Sequence, residues 1–260
     1  ILGPVVGTAV YGCFGIDTLC ETAALTFTIS ALLFGGALKQ NASSETMGDG
    51  ATRTTRRNDF RELIRYLSQN SSLLVVFLIA AILNLALVGL TIGAPVIVAK
   101  HLGMQSSFVG IIEVAMGLGG LVGSGLVGIW PHRFSFKGIC RYVAMICFGV
   151  VPIIVTLLSG PDELAFAALA AGSAWVMAWA SITSVEIVSF VQRSAPKELC
   201  GKVLALVYMT LSCATPIGQL VYGLAYDRWT PAIVFAGMLA VLTLTTALFY
   251  RLKSRLWRLS

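Results

Sequence analysis

The sequence is short of charge. Asp, Glu, Lys and Arg make up only 12% of its 260 residues, against about a quarter in an ordinary globular chain. A water-soluble surface cannot be built from so few, and 57% of the residues are apolar, so the chain is expected to be bounded by lipid. Metal-binding and redox patterns are also missing. The six cysteines, Cys13, Cys20, Cys140, Cys147, Cys200 and Cys213, include no Cys-x-x-Cys pair and predict neither a metal site nor a disulfide framework. The two histidines, His101 and His132, are expected near opposite membrane faces, which leaves no Ser/His/Asp set to argue for. No enzyme is expected, and no cofactor or metal is called for. The net charge of +6 would fit nucleic acid, but no zinc-finger or single-strand-binding pattern accompanies it. There is no start methionine or signal peptide at Ile1, and the expectation is a portion of a longer protein.

What is present is a series of long apolar runs. A bilayer core needs about 20 apolar residues in helical form. Seven stretches qualify: Thr18–Leu38, Leu73–Ala99, Phe108–Ile129, Arg141–Leu158, Leu164–Val191, Val203–Tyr226 and Ala232–Tyr250. Ile1–Tyr11 is too short to cross and reads as the tail of an earlier helix. The runs do not alternate as the strands of a membrane barrel do, so the fold class is an all-α polytopic membrane protein. Three parts follow: residues 1–38, the end of a first helix bundle; 39–72, a polar linker; and 73–260, a six-helix bundle.

Charge orients these spans. One side collects Lys39, Arg53, Arg56, Arg57, Arg61 and Arg65, then Arg133, Lys137 and Arg141, then Arg193, Lys197 and Lys202, and finally Arg251, Lys253, Arg255 and Arg258. Only Lys100 and Arg228 fall on the other. The positive-inside rule makes the basic side cytoplasmic. Within the linker, Gln40–Arg57 is polar and reads as loop, whereas Asn58–Leu67 places Phe60, Leu63, Ile64 and Leu67 on one face of a short amphipathic helix. A frayed start of the next span explains that second segment nearly as well.

A short repeat links the two ends of the chain. Gly7–Gly12 reads GTAVYG and Gly218–Gly223 reads GQLVYG, each preceded by a proline (Pro4, Pro216) and followed by an aspartate (Asp17, Asp227). Two membrane halves joined by a long linker imply a transporter that alternates around their interface.

These residues resemble the major facilitator superfamily and, within it, the macrolide-efflux-like drug exporters. Ile1–Asp17, with Gly3, Pro4 and Gly7, resembles the end of the Gly-Pro antiporter motif in the fifth helix of exporters. Gln192–Val203 looks like that subfamily's loop before helix eleven, and Pro216, Gly218 and Gly223 resemble helix eleven itself. Leu85–Gly125, beside Asn84, is similar to helices seven and eight. The resemblance implies twelve helices in the parent, of which this chain holds the end of the fifth, the sixth, and the seventh to twelfth. It implies an incomplete major facilitator fold in a bacterial inner membrane, with linker and C-terminus cytoplasmic. Its expected partners are a small-molecule substrate, membrane lipid and the missing N-terminal helices, with no nucleic acid. The activity implied is proton-coupled export of hydrophobic or amphipathic compounds. A siderophore, lysophospholipid or sugar transporter is the first alternative, and a truncated, non-transporting membrane protein the second. At one loop the chain departs from the family, because Gly128–Arg133 puts His132 before Arg133 where an aspartate is usual. His132 is thus a latch residue, a pH sensor or a plain interfacial histidine beside Pro131.

Candidate site residues follow from what is costly in lipid. An ionised side chain at mid-membrane costs about 2.5–3.5 kcal/mol on insertion scales, which singles out Glu113 and Glu186 for proton or substrate binding. Their plainer readings are an interhelical hydrogen bond for Glu113 and a pair with Arg193 or Lys197 for Glu186. Asn84 suits a cavity hydrogen bond or a link between helices. Trp175 and Trp179 share a helical face and would stack on cargo, or pack against core or lipid. Gly119-x-x-x-Gly123, followed by Gly128, predicts close helix approach, whether static or sliding.

Overall fold

The computed structural model describes residues 17–18, 20–34, 70–105 and 107–256. Its helices are α1 (Cys20–Phe34), α2 (Ser71–Val96), α3 (Ser107–Ile129), α4 (Ile139–Ser159), α5 (Asp162–Ser194), α6 (Lys197–Arg228) and α7 (Pro231–Leu256). No strand occurs among the described residues. The six helices α2–α7 are long and apolar enough to cross a membrane, so the chain is an all-α polytopic membrane protein. Every residue of α1 is exposed. Gly3, Pro4, Gly7, the first copy of the repeat, the Gln40–Arg57 linker and Asn58–Leu67 lie outside the described residues.

Several helices outrun their apolar stretches. The fourth span starts earlier than expected, through a 3-10 turn at Phe136–Gly138, while α5 and α6 extend past both ends of theirs. Hydropathy marks only the part that suits lipid, whereas backbone hydrogen bonding carries a helix on into water through Arg193, Lys202 and Asp227. Prolines set several starts. Pro161 precedes α5, whose first turn carries Asp162 and Glu163 against the positive end of the helix dipole. Pro196 precedes α6, and Pro231 opens α7, where its missing N–H costs nothing. Beyond Pro95, α2 widens into a π turn at Ile97–His101. The chain then reverses through Gly103, whose φ of 61° is a left-handed conformation open to glycine without penalty.

Apart from α4 and α5, sequence neighbours are not the main spatial neighbours. α5 packs between α3 and α4, and α2 packs between α6 and α7. These two groups meet along α4–α7 and α2–α5. Between them runs one apolar core in which Leu90, Ile97, Ile112, Ile146, Ile153 and Phe235 are fully buried. α2 is the most enclosed span, with 50% of its most apolar window buried against 17% for α6, so α6 is the open wall of the bundle.

Candidate functional site: a cleft between α2, α5 and α6

The bundle opens into a cleft of about 530 Å³, counted to its mouth. α2 contributes Asn84 and Leu87, α5 contributes Thr183 and Ser184, and α6 contributes Val207 and Tyr208. No charged residue among the described ones lines it. An apolar wall with a few polar groups is the usual make-up of a small-molecule pocket.

Asn84 sits where the cleft meets the α2–α6 contact. Its amide nitrogen donates to the Leu211 carbonyl at 2.9 Å and to Thr215 Oγ1 at 3.1 Å. Pro216, one residue further along α6, removes the N–H that the Ser212 carbonyl would receive, and this stretch of helix is where side chains supply extra hydrogen bonds. Asn84 is therefore both a cleft residue and a tie between helices. Thr183 spends its hydroxyl proton on the Trp179 carbonyl at 2.7 Å, which leaves its lone pairs on the cleft side.

Neither glutamate lines the cleft. Glu113 is exposed on α3. Glu186 is 4% exposed, and its Oε2 has no hydrogen-bond partner among the described residues. Arg193, two turns further along α5, brings Nη2 to 3.9 Å from that oxygen while its own side chain stays 70% exposed. The tryptophans also lie outside the cleft. Trp175 donates its Nε1–H to the Met145 carbonyl at 2.8 Å, and Trp179 stacks on Tyr142 with ring centroids 5.9 Å apart. Both rings are thus turned toward α4.

The glycine positions separate into two kinds. A Cβ at Gly119 would land on the carbonyl of Ala174, and one at Gly123 on the carbonyl of Ala178, so α3 and α5 touch backbone to backbone. Gly218 is buried, with Val88 and Leu85 side chains 3.0 and 3.1 Å from its Cβ position. Gly128 and Gly223 have nothing within 4 Å among the described residues. His132 and Arg133 are exposed in a 3-10 turn, Pro131–Arg133.

A second glycine pair escaped the sequence reading. Gly89 and Gly93 form a notch on α2 that receives two tyrosines of α6: the Tyr222 ring lies 2.6 Å from a Cβ placed at Gly89, and the Tyr226 hydroxyl occupies the same position at Gly93. Buried Tyr226 donates its hydroxyl proton to the Gly89 carbonyl at 3.0 Å. The four-residue spacing Gly89-x-x-x-Gly93 was the available signal, equal to that of Gly119-x-x-x-Gly123. At the end of the same helix pair, Lys100 and Asp227 approach to 3.5 Å, both well exposed.

A family model described as a transmembrane secretion effector, of the major facilitator type, matches residues 1–259. No curated protein and no solved structure matches the chain.

Proposed function

The chain belongs to the transmembrane secretion effector family of the major facilitator superfamily, and from that premise we propose that it exports small, neutral, hydrophobic or amphipathic compounds by alternating access, in the manner of macrolide-efflux exporters. The observation that carries this reading is the charge-free cleft between α2, α5 and α6. Its carbon walls favour apolar surface, and Thr183, Ser184, Tyr208 and the Asn84 amide supply the few oriented polar contacts that distinguish one cargo from another. A phosphate-bearing or polyanionic cargo, such as a lysophospholipid or a siderophore, would want a basic group that this wall lacks. A second helical bundle supplies the facing wall, and the basic side of the membrane is the cytoplasmic one.

Export is driven by proton entry, with Glu186 as the exchanging group. Ionisable residues inside membrane spans are costly to keep and mark functional positions. Glu186 is the acidic side chain that the described helices bury, and its Oε2, 3.9 Å from Arg193 but without a hydrogen-bond partner among the described residues, leaves room for a proton.

Reconstitution of the complete transporter tests both parts. Vesicles with an imposed pH gradient should accumulate or expel a hydrophobic dye, and Ser184→Trp, which fills the cleft from an exposed position, should abolish this without loss of folded protein. Glu186→Gln should keep dye binding but lose the dependence on the gradient. Transport unchanged by Ser184→Trp would remove the cleft from the pathway, and unchanged gradient dependence in Glu186→Gln would remove the proton role.

A further inference from the structure

A second cavity, of about 780 Å³ counted to its open side, lies on the flank of the bundle between α2 and α7. It is walled by Val75, Leu78 and Leu85 on α2 and by Val241, Leu244 and Leu248 on α7, with a nearly all-carbon lining. From Val75 to Leu85 α2 rises about 15 Å, and from Val241 to Phe249 α7 rises about 12 Å. The hydrocarbon core is about 30 Å thick, so the groove is as deep as one leaflet.

What lies at its end identifies the occupant. The groove stops at Phe249, and the next residue, Tyr250, is 70% exposed. An exposed tyrosine there suits the headgroup level, where amphipathic aromatic rings collect. Helix α7 continues to Leu256. The stripe Val241, Leu244, Leu248 therefore runs on to the exposed Arg251, and Lys253 and Arg255 follow it in the sequence. An apolar slot one leaflet deep, ending at an aromatic residue and followed by a basic stretch of sequence, matches a lipid with an anionic head.

We infer that the α2–α7 groove is a binding site for an anionic phospholipid of the leaflet on the α7 C-terminal side, its acyl chain lying between the two helices and its phosphate at the basic end of α7. This site is separate from the cleft and independent of the cargo assigned to it.

Native mass spectrometry of the purified chain with phosphatidylglycerol and phosphatidylcholine of identical acyl chains tests the assignment. Phosphatidylglycerol adducts should survive at collision energies that strip phosphatidylcholine, with at least a fivefold difference in retention. Leu244→Trp should remove both adducts by filling the groove, and Arg251→Gln with Arg255→Gln should level the two lipids. Leu224→Trp, at an exposed position on α6, should change neither. Equal retention of the two lipids by the unaltered chain would overturn the proposal. So would a photo-crosslinker at position 244 that captures α1 or a second copy of the chain in place of lipid.

Discussion

Two contacts hold the bundle together by opposite means. Between α3 and α5, glycine removes side chains altogether, and the Ala174 and Ala178 carbonyls lie against Gly119 and Gly123. Between α2 and α6, glycine makes room for something large, and Tyr222 and Tyr226 fill the space while Tyr226 and Asn84 add hydrogen bonds. Lipid tails are as apolar as leucine, so neither contact gains from expelling water, and both depend on fit and polar pairing. The first has fit alone. The second is keyed, because a particular side chain must enter a particular notch.

The difference can be broken most severely at Gly119 and Gly123. Leucine at either position meets a backbone oxygen that no side-chain change elsewhere can move. Each substitution should cost at least the ~1–3 kcal/mol of overpacking and separate α3 from α5. Size-exclusion chromatography in detergent should show loss of the monodisperse peak, whereas Gly125→Leu and Gly128→Leu, with nothing within 4 Å, should elute as the parent does.

A smaller and more telling effect is expected at the keyed contact. Gly93→Ala strikes the Tyr226 side chain, not a backbone atom, so a second substitution can relieve it. Tyr226→Phe alone gives up its hydrogen bond to Gly89, about 0.6 kcal/mol by membrane-protein averages. Combined with Gly93→Ala it should recover part of the loss, a coupling of about 0.5–3 kcal/mol in thermal or denaturant unfolding. Strict additivity of the two changes would show that the notch is not keyed. No partner substitution should rescue Gly119→Ala in the same way.

The smallest effect belongs to Lys100 and Asp227 at the end of the keyed pair. Both side chains are about two-thirds exposed or more, and such pairs contribute about 0–1 kcal/mol. Asp227→Lys should shift the unfolding midpoint slightly, added salt should erase the shift, and Lys100→Asp with Asp227→Lys should restore it. A large, salt-insensitive loss would mean that the α2–α6 contact is keyed by charge as well as by shape.

Much of this architecture is legible in the sequence. Long apolar runs separated by charge mark α2–α7, because the demand for internally satisfied backbone in lipid leaves few other structures. The Gly119–Gly123 pair is visible because it sits among further glycines, as in Gly117, Gly120 and Gly125. Gly89 and Gly93 are just as well spaced but are flanked by Leu, Val and Thr, and their meaning lies in tyrosines more than 120 residues away. The cleft is harder still to read. Thr183, Ser184 and Tyr208 look like ordinary polar residues on apolar helices until α2, α5 and α6 converge. Glu113 and Glu186 stand out equally as acids in apolar runs, yet one is exposed and the other enclosed. Helical phase alone does not say which neighbour will cover which face.

The bare contact between α3 and α5 has a mechanical consequence. Ala115, Gly119 and Gly123 recur every fourth residue on α3, and Ala170, Ala174 and Ala178 do so on α5. Four residues of helix advance about 6 Å, so the two small-residue rows form matching racks with the same tooth spacing. A displacement by one tooth would set Gly119 against Ala170 and Gly123 against Ala174, but it would also carry Ala115 onto Phe166, which packs edge-on against Phe108. The rack therefore ends in an aromatic stop, and the register of the bare contact is set by the ring at its end as well as by its own teeth. α2 and α6 carry their stops along the contact itself, since each tyrosine seated in a notch must climb out before either helix can advance.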